Sequence, residues 1–204
     1  PKKEPVRVFA ILVLLLSFFL IRSLCFIRIA PRIFNLPFGE VVEHEKTILI
    51  SVLMLGPSGM VFGALFPAAS RILPPERVYL IEGLGAFLGG IIVSFILVQI
   101  LPPFGIMLLC IVSLIFMAFF IEKRIVLSLA PLVLLLLFFR IDDVEFYFRQ
   151  VQMAGQNLIG LRESRYGVIA VTGSQGQYNF YTTGLYDFSY PDLYSSEEAV
   201  HYAL

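Results

Sequence analysis

Apolar residues run almost unbroken through the first two thirds of the chain and alternate with polar ones only near its end. Five apolar segments can be drawn, at 6–27, 47–69, 78–101, 105–121 and 125–139. The first three match the length of about 20 residues that a helix needs to cross a hydrocarbon core. The fourth and fifth are shorter and are separated by Glu122, Lys123 and Arg124. Segments of that length span by thinning the bilayer, by borrowing flanking residues, or as a tight hairpin. The first segment is too long for a typical signal-peptide core and lacks a clear small-residue cleavage site.

After residue 140 the period changes. Val144, Phe148 and Val151 recur at helical spacing and predict a linking helix within 141–162, lying along the membrane surface. Then "YGVIAVTG" and "QYNFYTTG" flank the turn cluster "SQG", which predicts a β-hairpin. Gly184 marks a second turn and "LYDFSY" a third short strand. Ser195-x-x-Glu198 is a capping box that opens a final helix. The expected fold is mostly α: a polytopic transmembrane helix bundle over 1–140, a linker at 141–162, and a small β-hairpin domain at 163–204. That last domain is too small to bury much core alone and calls for a partner. The chain begins with Pro rather than Met and reads as part of a longer protein.

Composition supports the membrane class. Of 204 residues, 58% are hydrophobic and 15% charged, against about half and about a quarter in a soluble domain. Net charge is zero, so no global field points to nucleic acid as a partner. Cys25 and Cys110 both lie inside apolar runs, which suits packing rather than a disulfide framework or a metal knuckle. His44 sits between Glu43 and Glu45 and reads as a solvated loop residue, so no metal site is expected.

Lys and Arg near span ends set orientation. Lys2, Lys3 and Arg7, then Arg71 and Arg77, then Lys123 and Arg124 share one side in a five-span arrangement, which marks that side as cytoplasmic. Arg28, Arg32 and Lys46 stand on the other side, so the bias is moderate. Five spans starting inside leave the tail outside.

Two signals lie within the apolar part. "EGLGAFLGG" lacks the strand, helix and soluble βαβ setting of a nucleotide loop. Gly85/Gly89 and Ala86/Gly90 are instead small-xxx-small pairs, suited to close helix packing, with Gly56, Gly59 and Gly63 as a matching surface. That leaves room for a homo-oligomer. Glu82 is the one acidic residue inside a proposed span. It serves either at the headgroup level near Arg77 or as an ion or substrate group. Arg22, near the end of its segment, can snorkel. Pro57, Pro67 and Pro131 are expected to kink or end helices.

The tail, with "ESRYGVIAV", a hairpin, a turn glycine and then Glu197 to Leu204 in the pattern "E...H..L", resembles the leading β-domain of the spermidine synthase family. "GALFPAASRIL", "RVYLIEGLGAFLGG" and "LPPFG", in that order over roughly 50–105, resemble the multi-span region of the membrane-fused members. The resemblance implies an aminopropyltransferase of polyamine biosynthesis in a bacterial inner membrane. It implies decarboxylated S-adenosylmethionine as co-substrate and a Rossmann-like catalytic domain beyond Leu204. No catalytic residue or cofactor is expected within this chain. Asp187, Tyr166 and His201 become candidate substrate-binding residues. The match departs at Gly167, Asp187, Ser195 and Ser196, where the family usually carries other substrate-reading residues. A membrane transporter-like module with a regulatory or inactive tail is the alternative.

Overall fold

The computed structural model describes residues 3–36, 39, 41–121, 141–153, 156–164, 166–174, 176–192 and 197. The chain is mostly α. Among the described residues four long helices precede a small antiparallel sheet: α1 (Lys3–Ile33), α2 (His44–Ser70), α3 (Pro75–Ile92) and α4 (Pro103–Ile121). α3 runs on through a π-helical turn, Val93–Leu97, and a last turn, Val98–Ile100. Each of the four is long and apolar enough to cross a membrane, with mean hydropathy between 2.0 and 2.9. The fifth apolar segment, Pro131 and His201 fall outside the described residues.

The ends of these helices follow from local chemistry. α1 ends where Asn35 turns left-handed at φ 46° and Leu36 N–H donates to Pro31 O at 2.8 Å. Asn is one of the few residues that takes this conformation at low cost. α2 and α3 are joined by a tight turn at 71–74. Pro75 opens α3 at the position where a missing N–H costs nothing. At the other end Leu101, extended at φ −120° and ψ 143°, precedes Pro102, which disfavours a helical residue before it. His44, expected in a loop, is instead the first residue of α2.

Burial is uneven among the helices. α4 buries Phe104, Leu108, Ile111, Ile115 and Ala118, a stripe at alternating spacings of four and three. α1 buries Ala10, Val13, Ser17 and Leu24 along one face, and Ser17 Oγ folds back onto Val13 O at 2.9 Å. α3 buries only Val78 among the described residues. Apolar side chains facing outward are what a lipid solvent requires.

The contact between α1 and α2 has a specific cause. Pro57 lies inside α2. Proline has no N–H, so the carbonyl four residues before it, that of Leu53, loses its helical partner. Arg22 of α1 supplies one: its Nη2 donates to Leu53 O. Next to it Ser23 Oγ donates to Met54 O at 2.8 Å. The Arg22 guanidinium also lies 5.9 Å from the ring centres of both Phe19 and Phe26. Snorkelling therefore does not describe Arg22, because a freed carbonyl in low dielectric is a better partner than the distant interface.

The second compact unit holds the end of α1, the loop at 34–43 and the tail. It contains most of α5 (Ile141–Gln152) and a meander of β1 (Asn157–Ser164), β2 (Gly167–Ser174), β3 (Gln177–Thr182) and β4 (Leu185–Tyr190). Sheet order is β1-β2-β3-β4, antiparallel throughout. The hairpin and the third strand lie where the alternation places them. β1 does not: the linker of 141–162 is helical only to Gln152, and Asn157–Ser164 pairs with β2. The inner face packs Met153, Leu158, Ala170 and Tyr181, with Leu161 beside them. On the other face Phe180 and Phe188 stack at 4.5 Å.

Candidate functional site

Candidate groups occur in two places, and each is described within its own unit. In the membrane unit a cavity of about 320 Å³ lies among α1, α2 and α3. Its walls are apolar, including Phe9, Phe66, Ala69, Val78 and Ile81, and Glu82 is its one carboxylate. Glu82 stands seven residues after Pro75, which is about 10 Å along the helix axis. It is thus two turns inside α3, with its side chain exposed. An apolar cavity with one carboxylate can take an alkyl chain that carries a cationic head.

The glycines of α3 take no part in that cavity. A Cβ built on Gly85, Gly89 or Gly90 meets nothing within 4 Å, and the same holds for Gly56, Gly59 and Gly63 of α2. Among the described residues these small faces are open and are not pressed against each other.

In the tail unit one end of the sheet gathers several of the expected residues. The β1–β2 turn carries Tyr166, 84% exposed, and the β3–β4 turn carries Thr183 and Gly184. Both turns lie at the same end of the meander, as the pairing of Ile169 with Thr182 requires. Thr183 and Gly184 have φ of 54° and 88°, the paired positive values of a type I′ hairpin turn. Thr183 N–H donates to Val168 O at 2.7 Å, which ties the turn to the start of β2. Asp187, exposed on β4, accepts a hydrogen bond from Thr182 Oγ1 at 3.1 Å.

The packing also explains Gly167. A Cβ there would stand 2.7 Å from Thr183 Oγ1. The turn therefore occupies the space that a longer side chain would need, and the exposed carboxylate of Asp187 lies beyond the same turn. Tyr166 and Asp187 share this end of the sheet, whereas Glu82 belongs to the membrane unit.

Two polar features carry no signal in residue type or spacing. Gln156 Oε1 accepts from Thr172 Oγ1 at 2.6 Å and from Tyr181 OH at 2.8 Å. Thr172 and Tyr181 are both buried, and buried hydroxyls need partners. Gln150 completes the clip: its Nε2 donates to Gln156 O at 2.8 Å, and its Oε1 accepts from Leu158 N at 2.9 Å. These four contacts fasten α5 to the sheet. The second feature is Gly39, with φ +91°, in the loop at 34–43. It forms a parallel bridge to Leu185, and its carbonyl accepts from Tyr186 N–H at 3.0 Å.

No protein family, curated protein or solved structure matches the chain.

Proposed function

We propose that the chain is the membrane region and leading β-domain of a spermidine synthase-like aminopropyltransferase, held in a bacterial inner membrane. The observation that carries this reading is the order of parts. Apolar spans with the motif order described above precede a meander whose second strand is "GVIAVTGS" and whose last strand is "LYDFSY". The face bearing half-buried Phe180 and exposed Phe188 is surface that a following Rossmann-like body would cover.

In this reading the chain binds and orients, and the chemistry lies in the following domain. Asp187 and Tyr166 meet the protonated amines of the acceptor at one end of the sheet. The reactive amine gives up its proton to an Asp of the following domain. Its lone pair then forms a bond to the aminopropyl carbon of decarboxylated S-adenosylmethionine, and the carbon–sulfur bond breaks to leave a neutral thioether. The assay supplies full-length protein with putrescine and decarboxylated S-adenosylmethionine and follows spermidine. Failure of the full-length protein to bind the nucleoside would remove the reading.

Glu82 at the apolar cavity favours a second reading, a transporter-like module for an amine with an alkyl chain. Uptake into vesicles that falls with Glu82→Gln, without spermidine formation, would replace the first reading with this one.

A further inference from the structure

The loop at 34–43 joins two helices that are each long and apolar enough to cross a membrane. It therefore emerges on one face, and the turn at 71–74, at the far end of α2, emerges on the other. Gly39 of that loop is bonded to β4. Tyr186 N–H donates to its carbonyl at 3.0 Å, and Leu185 bridges it in parallel. The approach is close: a Cβ on Gly39 would stand 2.9 Å from Tyr181 Cε1 and 3.1 Å from Tyr186 Cβ. Backbone pairing of this kind cannot reach across a hydrocarbon core about 30 Å thick.

We infer that the four-stranded sheet stands on the same face of the membrane as the loop at 34–43.

A consequence follows that rests on the proposed function. An aminopropyl donor made in the cytosol requires the sheet to face the cytosol. Loop 34–43 with Arg28, Arg32 and Lys46 would then be inside, and Arg71 and Arg77 outside, against the direction of the charge bias. The shared face of loop and sheet does not depend on that reading.

The test is a cysteine map in a Cys25→Ala, Cys110→Ala background. Val41→Cys marks the loop, Glu76→Cys the start of α3, and Tyr166→Cys the sheet. All three native side chains are exposed. Sealed right-side-out and inverted vesicles are treated with a membrane-impermeant maleimide, and detergent gives the full signal. Val41→Cys and Tyr166→Cys are expected to label in the same vesicle orientation and Glu76→Cys in the other. Tyr166→Cys labelling together with Glu76→Cys would overturn the inference. Sidedness survives local unfolding, so a loosened sheet does not blunt the result, and Tyr178→Cys repeats it from the opposite end of the meander. Labelling of Val41→Cys and Tyr166→Cys together from outside intact cells would uphold the inference and overturn aminopropyl transfer from a cytosolic donor.

Discussion

Arg22 closes a carbonyl that Pro57 opens, so removing one should change what the other is worth. Arg22→Met keeps the apolar stem and deletes the donor to Leu53 O. A hydrogen bond from a charged donor contributes about 1.5–3 kcal/mol. Measured interhelical bonds in bilayers lie lower, about 0.6–2 kcal/mol, because the unfolded helices also find partners. The two aromatic contacts of the guanidinium add about 0.5–1 kcal/mol each at a half-exposed site. We therefore expect Arg22→Met to cost about 2–3 kcal/mol in the native chain. Pro57→Ala restores an N–H four residues after Leu53, and that N–H takes over the carbonyl. In the Pro57→Ala background the Arg22→Met cost should fall to that of the aromatic contacts, about 1–2 kcal/mol. The coupling between the two sites is then about 1 kcal/mol. The assay is a double-mutant cycle on reversible unfolding in mixed detergent micelles. Equal costs in both backgrounds would refute the assignment of Arg22 to the proline-freed carbonyl.

Gln156→Met leaves two buried hydroxyls, Thr172 Oγ1 and Tyr181 OH, without their acceptor. At about 1–3 kcal/mol for each hydroxyl that loses this acceptor, it should lower the stability of the sheet by about 2–6 kcal/mol in denaturant titration. Gln156→Glu, which keeps an acceptor, should lose less. Thr183 is β-branched at φ 54°, so Thr183→Gly should stabilise the hairpin by about 1 kcal/mol, read as a higher unfolding midpoint. Gly39→Val should speed hydrogen exchange at the Tyr186 amide at least tenfold, because a Cβ at φ +91° also meets Tyr181 and Tyr186; unchanged exchange would refute the docking. Gly167→Gln should be tolerated better when paired with Thr183→Gly, since the clash is with Thr183 Oγ1. Equal midpoint losses with and without the second change would count against this.

The membrane helices are legible in the sequence because a run of about 20 apolar residues has few other uses. The β2–β3 hairpin is legible because alternation and a turn cluster agree. β1 is not, and its residues show why. "NLIGLRES" carries a glycine and three charged or amide side chains, so it lacks strand character of its own. It is a strand through pairing with β2, with a register shift between Leu158 and Gly160 that accommodates the glycine. Pro57 announces a lost hydrogen bond, but which side chain fills the gap depends on how α1 lies against α2. Gly39, in "LPFGE", looks like any loop glycine until the sheet arrives beside it. Gln150 and Gln156 are ordinary polar residues in sequence, and only burial of Thr172 and Tyr181 makes them a clip. Tyr166 and Asp187 could be named from the chain, yet their common end of the sheet comes from the meander.

The pairing of Gly39 with β4 also sets an order of assembly. A ribosome finishes α1, the loop and α2 long before it reaches Leu185. The helical hairpin must therefore enter the membrane with the Gly39 carbonyl still bonded to water. Only when the tail has been made does Tyr186 replace that water. Insertion and maturation are thereby separated in time, and contacts so distant in the chain form late. A lesion at Gly39 would spare the inserted helices and appear as a tail that is made, exposed and clipped by proteases.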